Sequence, residues 1–194
     1  IAIARDDAFA FTYPAVLDQW RAQGAALHFF SPLSDEAPGA DVDAVYLPGG
    51  YPELHAGRLA GNDKFISGVR NAATRGAKIY GECGGYMILG DALTDGDGHT
   101  HRMTGLLPLR TSFAAPKLHL GYRRAETLTA TPLGAARTTF TGHEFHYAAI
   151  TEEGPGQALF RIADAAGAAR GDTGLTVGAV AGSFIHLIDQ TPAS

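Results

Sequence analysis

Two rhythms of apolar and polar positions divide the chain. In the first half, short apolar runs alternate with stretches of helical period. Residues 1–4 are apolar and end at Arg5-Asp6-Asp7, which predicts a strand. Pro14 then suits a first helical turn, and Gly24 suits the residue just past the helix end. Residues 25–30 and 42–47 predict second and third strands, followed by a turn-rich segment over 48–61. Phe65, Ile66, Val69, Ala72 and Ala73 share one helical face, and Gly76 closes that helix. Residues 78–81 predict a fourth strand, and 84–90 the start of another helix. Strands separated by helices at these intervals imply a parallel sheet with both faces covered.

The second half changes period. Strand-like segments fall at 106–109, 122–128, 138–140, 146–150, 159–163 and 175–181, and helical patterns are scarce. The expected fold is α/β: an open, mostly parallel sheet flanked by helices, with an antiparallel or mixed addition in the second half. No repeat and no interdomain linker interrupts it, so residues 1–194 read as one domain.

Composition narrows the class. A chain of 194 residues with 45% hydrophobic and 18% charged residues buries a sizeable core and is no disordered tail. Its net charge of −5 argues against a nucleic-acid partner. No apolar stretch approaches the ~20 residues that span a bilayer, so no membrane partner is expected. No leader-like segment opens the chain, and a cytoplasmic protein is expected. One cysteine excludes an intrachain disulfide. The chain begins without Met, directly in a strand, which suggests a piece of a longer protein.

That cysteine stands in Gly81-Glu82-Cys83-Gly84-Gly85, between a predicted strand and a predicted helix. The pattern is a nucleophile elbow, where flanking glycines remove the clashes of a sharp, strained turn. Unpaired N–H groups at the following helix start favour negative charge, on a thiolate or on an oxyanion. The plain reading is a buried cysteine in a glycine-rich turn. The strand-to-helix context argues for a nucleophile.

A second glycine turn, Pro48-Gly49-Gly50-Tyr51-Pro52-Glu53, follows the third strand. Strand ends of an open α/β sheet line the ligand crevice, so the two turns are expected to meet there. The backbone N–H groups of Gly50 and Gly84 are then the expected oxyanion hole. A plain tight turn is the simpler alternative.

The base should be a histidine. His186 follows a glycine-rich apolar strand in Gly182-Ser183-Phe184-Ile185-His186-Leu187. His99 and His101 fall in a polar loop, and His28, within a predicted strand, reads as structural. His143 and His146 lie in Gly142-His143-Glu144-Phe145-His146-Tyr147, which is not H-E-x-x-H and not helical, so no metal is expected there.

Together these residues resemble the class I, triad-type glutamine amidotransferases. The closer resemblance is to the glutaminase domain of the cobyrinic and hydrogenobyrinic acid a,c-diamide synthases of cobalamin biosynthesis. It runs over nearly the whole chain: Ile1-Ala2-Ile3-Ala4-Arg5-Asp6, Phe11-Thr12-Tyr13-Pro14, the two glycine turns, Leu120-Gly121-Tyr122-Arg123, Gly142 to Tyr147 and Gly182 to Leu187. The last two strings are the more specific.

The resemblance implies a flavodoxin-like class I glutaminase with Cys83 as nucleophile and His186 as base. It implies glutamine as substrate and a missing N-terminal synthetase domain that uses ATP and magnesium on a corrinoid acceptor. No Gly-x-x-x-x-Gly-Lys-Ser/Thr occurs here, so no cofactor is expected in this domain. Triad amidotransferases carry Glu two residues after the histidine, whereas Ile188 stands here. Glu144 is the candidate substitute for orienting His186. Cobyric acid synthase glutaminase, a cysteine hydrolase and a noncatalytic binding module are the competing readings. Glutamine turnover and labelling of Cys83 by a glutamine-analogue electrophile separate them.

Overall fold

In a computed structural model, which describes residues 1–191, the first half follows its alternation. Residues 192–194 of the expected domain lie outside the described residues. Strands β1 (Ala2–Ala4), β2 (His28–Phe30), β3 (Ala44–Leu47) and β4 (Lys78–Glu82) pair in parallel in the order β4-β3-β1-β2. His28, expected to be structural, is exposed on edge strand β2.

Helix α1 (Pro14–Ala22) starts at its proline and buries Leu17, while Trp20 packs edge-on against Tyr46. The turn-rich segment holds more order than its glycines suggest: a 3-10 turn over Pro52–His55 and the short helix α2 (Ala56–Ala60). Helix α3 (Asp63–Thr74) buries Phe65, Ile66, Val69 and Ala72, the predicted face. Helix α4 (Gly84–Leu89) is buried all round and so shows no amphipathic stripe.

The second half is mostly antiparallel, and the chain passes from a small sheet to the main one, back to the small one, and again to the main one. Strands β5 (Ala92–Thr94), β6 (Thr100–Arg102) and β7 (Leu109–Ser112) form the small sheet with β10 (Ala149–Glu153), and β5 and β7 pair in parallel. Strands β8 (His119–Thr127), β9 (Thr139–His146), β11 (Gln157–Asp164), β12 (Ala169–Val177), β13 (Val180–Ser183) and β14 (Ile185–Gln190) extend the main sheet. Its order is β14-β9-β8-β11-β12-β13-β4-β3-β1-β2, with β13 parallel to β4 and antiparallel to β12.

Three expected strands change for physical reasons. The apolar run at 106–109 is mostly loop, because Leu106 and Leu107 N–H groups satisfy the Leu89 carbonyl at the end of α4. The run at 175–181 splits into two strands at Gly178, which takes φ +58°. The segment at 138–140 continues through His146 as one strand. Its polar residues, at 143, 144 and 146, hid that continuity.

Only a bend at Phe184 separates β13 from β14. The antiparallel array therefore starts and ends in one stretch of chain, and curls back to the end of β4. One core packs the central sheet on α3 and α4, with Leu47, Phe65, Val69 and Ile88. The other fills the curled side with Ile3, Tyr46, Tyr80, Phe160 and Ile185, against Trp20 of α1. No helix among the described residues is long and apolar enough to cross a membrane.

Candidate active site

Cys83 lies between β4 and α4 with φ +49° and ψ −101°. That conformation is rare for a residue with a side chain and costs on the order of 1–3 kcal/mol. It is held from both sides: Cys83 N–H donates to Ser183 O at 2.8 Å, and Met87 N–H donates to Cys83 O at 3.2 Å. Gly85 explains the next glycine, since a Cβ there would strike the Leu47 carbonyl. Its N–H donates to Pro48 O at 3.1 Å, which ties the elbow to the second glycine turn. A Cβ on Gly84 would lie 3.1 Å from Gly50 N. The two turns thus meet as the sequence predicts. The N–H of Gly84, first residue of α4, has no intrahelical acceptor.

His186, in β14, is 1% exposed. Its Nδ1 is 3.4 Å from Oε1 of Glu82, the residue just before the nucleophile. Such contacts tighten when substrate is bound. Glu82 is itself fixed: Tyr46 OH donates to Oε1 at 3.1 Å and Leu187 N–H donates to Oε2 at 3.0 Å. Burial opposes protonation of His186 most strongly, but the neighbouring Cys83 and then Glu82 outweigh it and push the pKa up to about 10. Gly49 gives the ring its room, because a Cβ there would lie 2.6 Å from Cε1. The His143 ring stacks on the His186 ring at 4.7 Å, 8° from parallel.

Cys83, His186, Gly50 and Gly84 are therefore brought together, and Glu144 is not. Glu144 pairs in register with Ile185, one residue before the histidine, and so faces the other side of the sheet. There Oε1 meets His146 Nε2 at 3.0 Å, and Oε2 accepts from Arg123 Nε at 3.0 Å and Nη2 at 2.7 Å. The His146 hydrogen bond, followed by that of Arg123, holds the Glu144 pKa down at about 2 against the cost of burial. The carboxylate beside His186 is Glu82. The signal for it was the alternation of β4, where 78, 80 and 82 share a face with Tyr46.

His119, Glu144 and His146 place ligand-type atoms within 4.8 Å of one another. Yet the two imidazoles stack 4.6 Å apart and 1° from parallel. Ring nitrogens bind metals in the ring plane, and parallel planes do not converge on one ion. Arg123 also occupies the carboxylate. Glu144 is thus already engaged by His146 and Arg123.

The sequence model of the CobB/CobQ-like glutamine amidotransferase domain matches residues 1–193. Hydrogenobyrinate a,c-diamide synthase of Brucella anthropi is 57% identical over 189 residues, covering 97% of this chain and 43% of that protein. The same-named proteins of Rhizobium meliloti and Rhodobacter capsulatus are 55% and 51% identical, again covering 97% of this chain and 43% of theirs. The chain thus spans less than half the length of these relatives. Among solved structures, PurLQS from Thermotoga maritima superposes with a TM-score of 0.62 at 18% identity, over 95% of this chain and 85% of that one. A glutamine amidotransferase crystal structure gives 0.62 at 17% identity, over 95% and 89%. Both share the fold described above, and the match along the whole sequence places this chain in the CobB/CobQ-like glutamine amidotransferase family.

Proposed function

We propose that this chain is the glutamine-hydrolysing part of a larger, ATP-dependent amide synthetase. The observation that carries this reading is the strained Cys83 beside a buried His186–Glu82 pair, at the meeting point of two glycine turns. The Cys83 thiol gives its proton to His186 Nε2, and Sγ attacks the side-chain carboxamide carbon of glutamine. The raised proton affinity of His186 favours that transfer. The N–H groups of Gly50 and Gly84 receive the oxyanion, each such donor contributing about 2.7–4 kcal/mol in comparable sites. The C–N bond breaks as His186 returns the proton to nitrogen, which releases ammonia and leaves a glutamyl thioester. Water, deprotonated by His186, attacks the thioester. The C–S bond breaks, glutamate leaves, and the thiolate regains its proton. The Glu82 carboxylate stabilises the imidazolium.

The ammonia serves a synthetase part that this chain does not contain, where ATP and magnesium activate the acceptor carboxylates. The names of the relatives favour hydrogenobyrinate as that acceptor, amidated on its a- and c-acetate groups. The relatives' greater length supports a partner part of the same protein. Leu118, Leu120, Tyr122, Phe145 and Tyr147 are exposed and share the sheet face of His143, which suits a docking surface next to the site. A single free thiol and the absence of disulfides suit a reducing compartment such as the cytoplasm.

The test is Cys83→Ala in the full-length protein. Amidation driven by glutamine should disappear, while amidation driven by free ammonia persists. Glutamine use at the wild-type rate would overturn the reading.

A further inference from the structure

We propose that His143 is a positioning residue for His186, holding the imidazole in the plane that joins Cys83 to Glu82. The proposal rests on the glutaminase reading above. Stacking alone is common, but here the second ring is itself tethered. Tyr13 OH and His143 Nε2 are 2.8 Å apart, and Tyr13 also meets the His186 ring edge-to-face at 6.5 Å. Tyr13 precedes α1 and His143 sits mid-strand in β9, so the tether joins two elements distant in sequence. Directly opposed residues of antiparallel strands share a face, and His143 is the register partner of His186.

The chemistry of the stack fits an imidazolium. Burial, then the charges of Glu82 and Cys83, hold the Tyr13 pKa up at about 12, so its hydroxyl remains a donor. His143 Nε2 is then the acceptor, which leaves a neutral ring with its proton on Nδ1. Burial, and next the charge of His186, lower the His143 pKa and keep the ring neutral. A neutral aromatic face beside a cationic ring is attractive, whereas a second cation there would repel. The groups facing His186 are accordingly Glu82 and Cys83 from the β4 elbow, His143 from β9, and Phe11 and Tyr13 from the segment before α1.

The experiment compares wild type with His143→Ala, His143→Phe and Tyr13→Phe in the full-length protein. Glutamine hydrolysis is followed for kcat and KM, and urea unfolding with limited proteolysis checks that each variant folds. In parallel, alkylation of Cys83 by iodoacetamide is followed by peptide mass spectrometry from about pH 5 to about pH 9. His143→Ala should lower kcat about threefold to tenfold, the rate equivalent of one stacked-ring pair, with KM unmoved. It should also lower Cys83 alkylation below neutral pH by about threefold relative to alkaline pH. His143→Phe keeps the ring but not the tether, and should recover part of both losses, to the level of Tyr13→Phe. Tyr13→Phe frees the tether and should lower kcat about twofold to threefold. A kcat and alkylation profile unchanged in His143→Ala would overturn the proposal. So would a rise in KM alone, which would set His143 against the substrate. Wild-type protein that hydrolyses no glutamine would sink the glutaminase reading instead, and the alkylation profiles would still decide the role of His143.

Discussion

Two carboxylate–histidine pairs lie close to Cys83, and they are built in opposite ways. Glu82 and His186 are each 2% exposed at the side chain, and no arginine or lysine bonds Glu82. Glu144 and His146 make the shorter contact, 3.0 Å, but Arg123 binds the same carboxylate. The consequences diverge. Around the first pair, burial opposes protonation of the imidazole, but Cys83 and then Glu82 outweigh it, with His186 at about 10. In the second, the hydrogen bond of His146 and then that of Arg123 lower the proton affinity of the carboxylate against burial, with Glu144 at about 2. A carboxylate neutralised by a fixed arginine has little left to offer a neighbouring base. Distance alone would have chosen the wrong pair.

The largest effect should come from removing the charge of the first pair. Glu82→Gln keeps the shape but not the ionisation, and kcat for glutamine hydrolysis should fall on the order of 10³-fold to 10⁴-fold. Steady-state glutamate release measures it, and an unchanged kcat would strip Glu82 of its assigned role. The matching change in the second pair is Glu144→Gln, which should appear in stability. It leaves the mostly buried Arg123 without its partner, and unfolding free energy should drop by about 1–3 kcal/mol in urea titrations.

The two pairs should also separate by pH. The Glu144 pKa is depressed from 4.5, so its contribution is present above that value and is lost as the pH falls towards about 2. The stability gap between wild type and Glu144→Gln should close over that window. The His186 pKa is raised from 6.5, so its contribution is full below that value and is lost as the pH rises through about 10. A gap between wild type and His186→Gln that widens with alkalinity would refute this. The smallest effect is expected for Tyr46→Phe, which removes one hydrogen bond to Glu82. It should cost about 1 kcal/mol, or about fivefold in kcat.

The parallel half was legible because each of its signals is local. The face of α3, the proline opening α1 and the glycines of the elbow each depend on a few adjacent residues. The proposed nucleophile, Cys83, and the proposed backbone donors, Gly50 and Gly84, belong to that class. Glu82 is local too, on the alternating face of β4, but only the folded chain sets it beside His186. What the sequence could not show is the register of β9 with β14. That register, not the identity of the residues, turns His143 towards the base and Glu144 away from it. The length of β9 was obscured for the same reason, since the polar residues that build the site interrupt the apolar pattern of the strand.

The bend at Phe184 has a consequence for a chain made from its N-terminus onward. Cys83 is synthesised well before the strand bearing His186, and the contact that locks Glu82 joins residues 105 apart. Pairings this remote form late in folding. A partly made chain therefore carries an elbow cysteine with no base beside it. On the proposed function, glutamine is safe from an unfinished molecule, because the strand proposed to arm the thiol is translated well after the thiol itself.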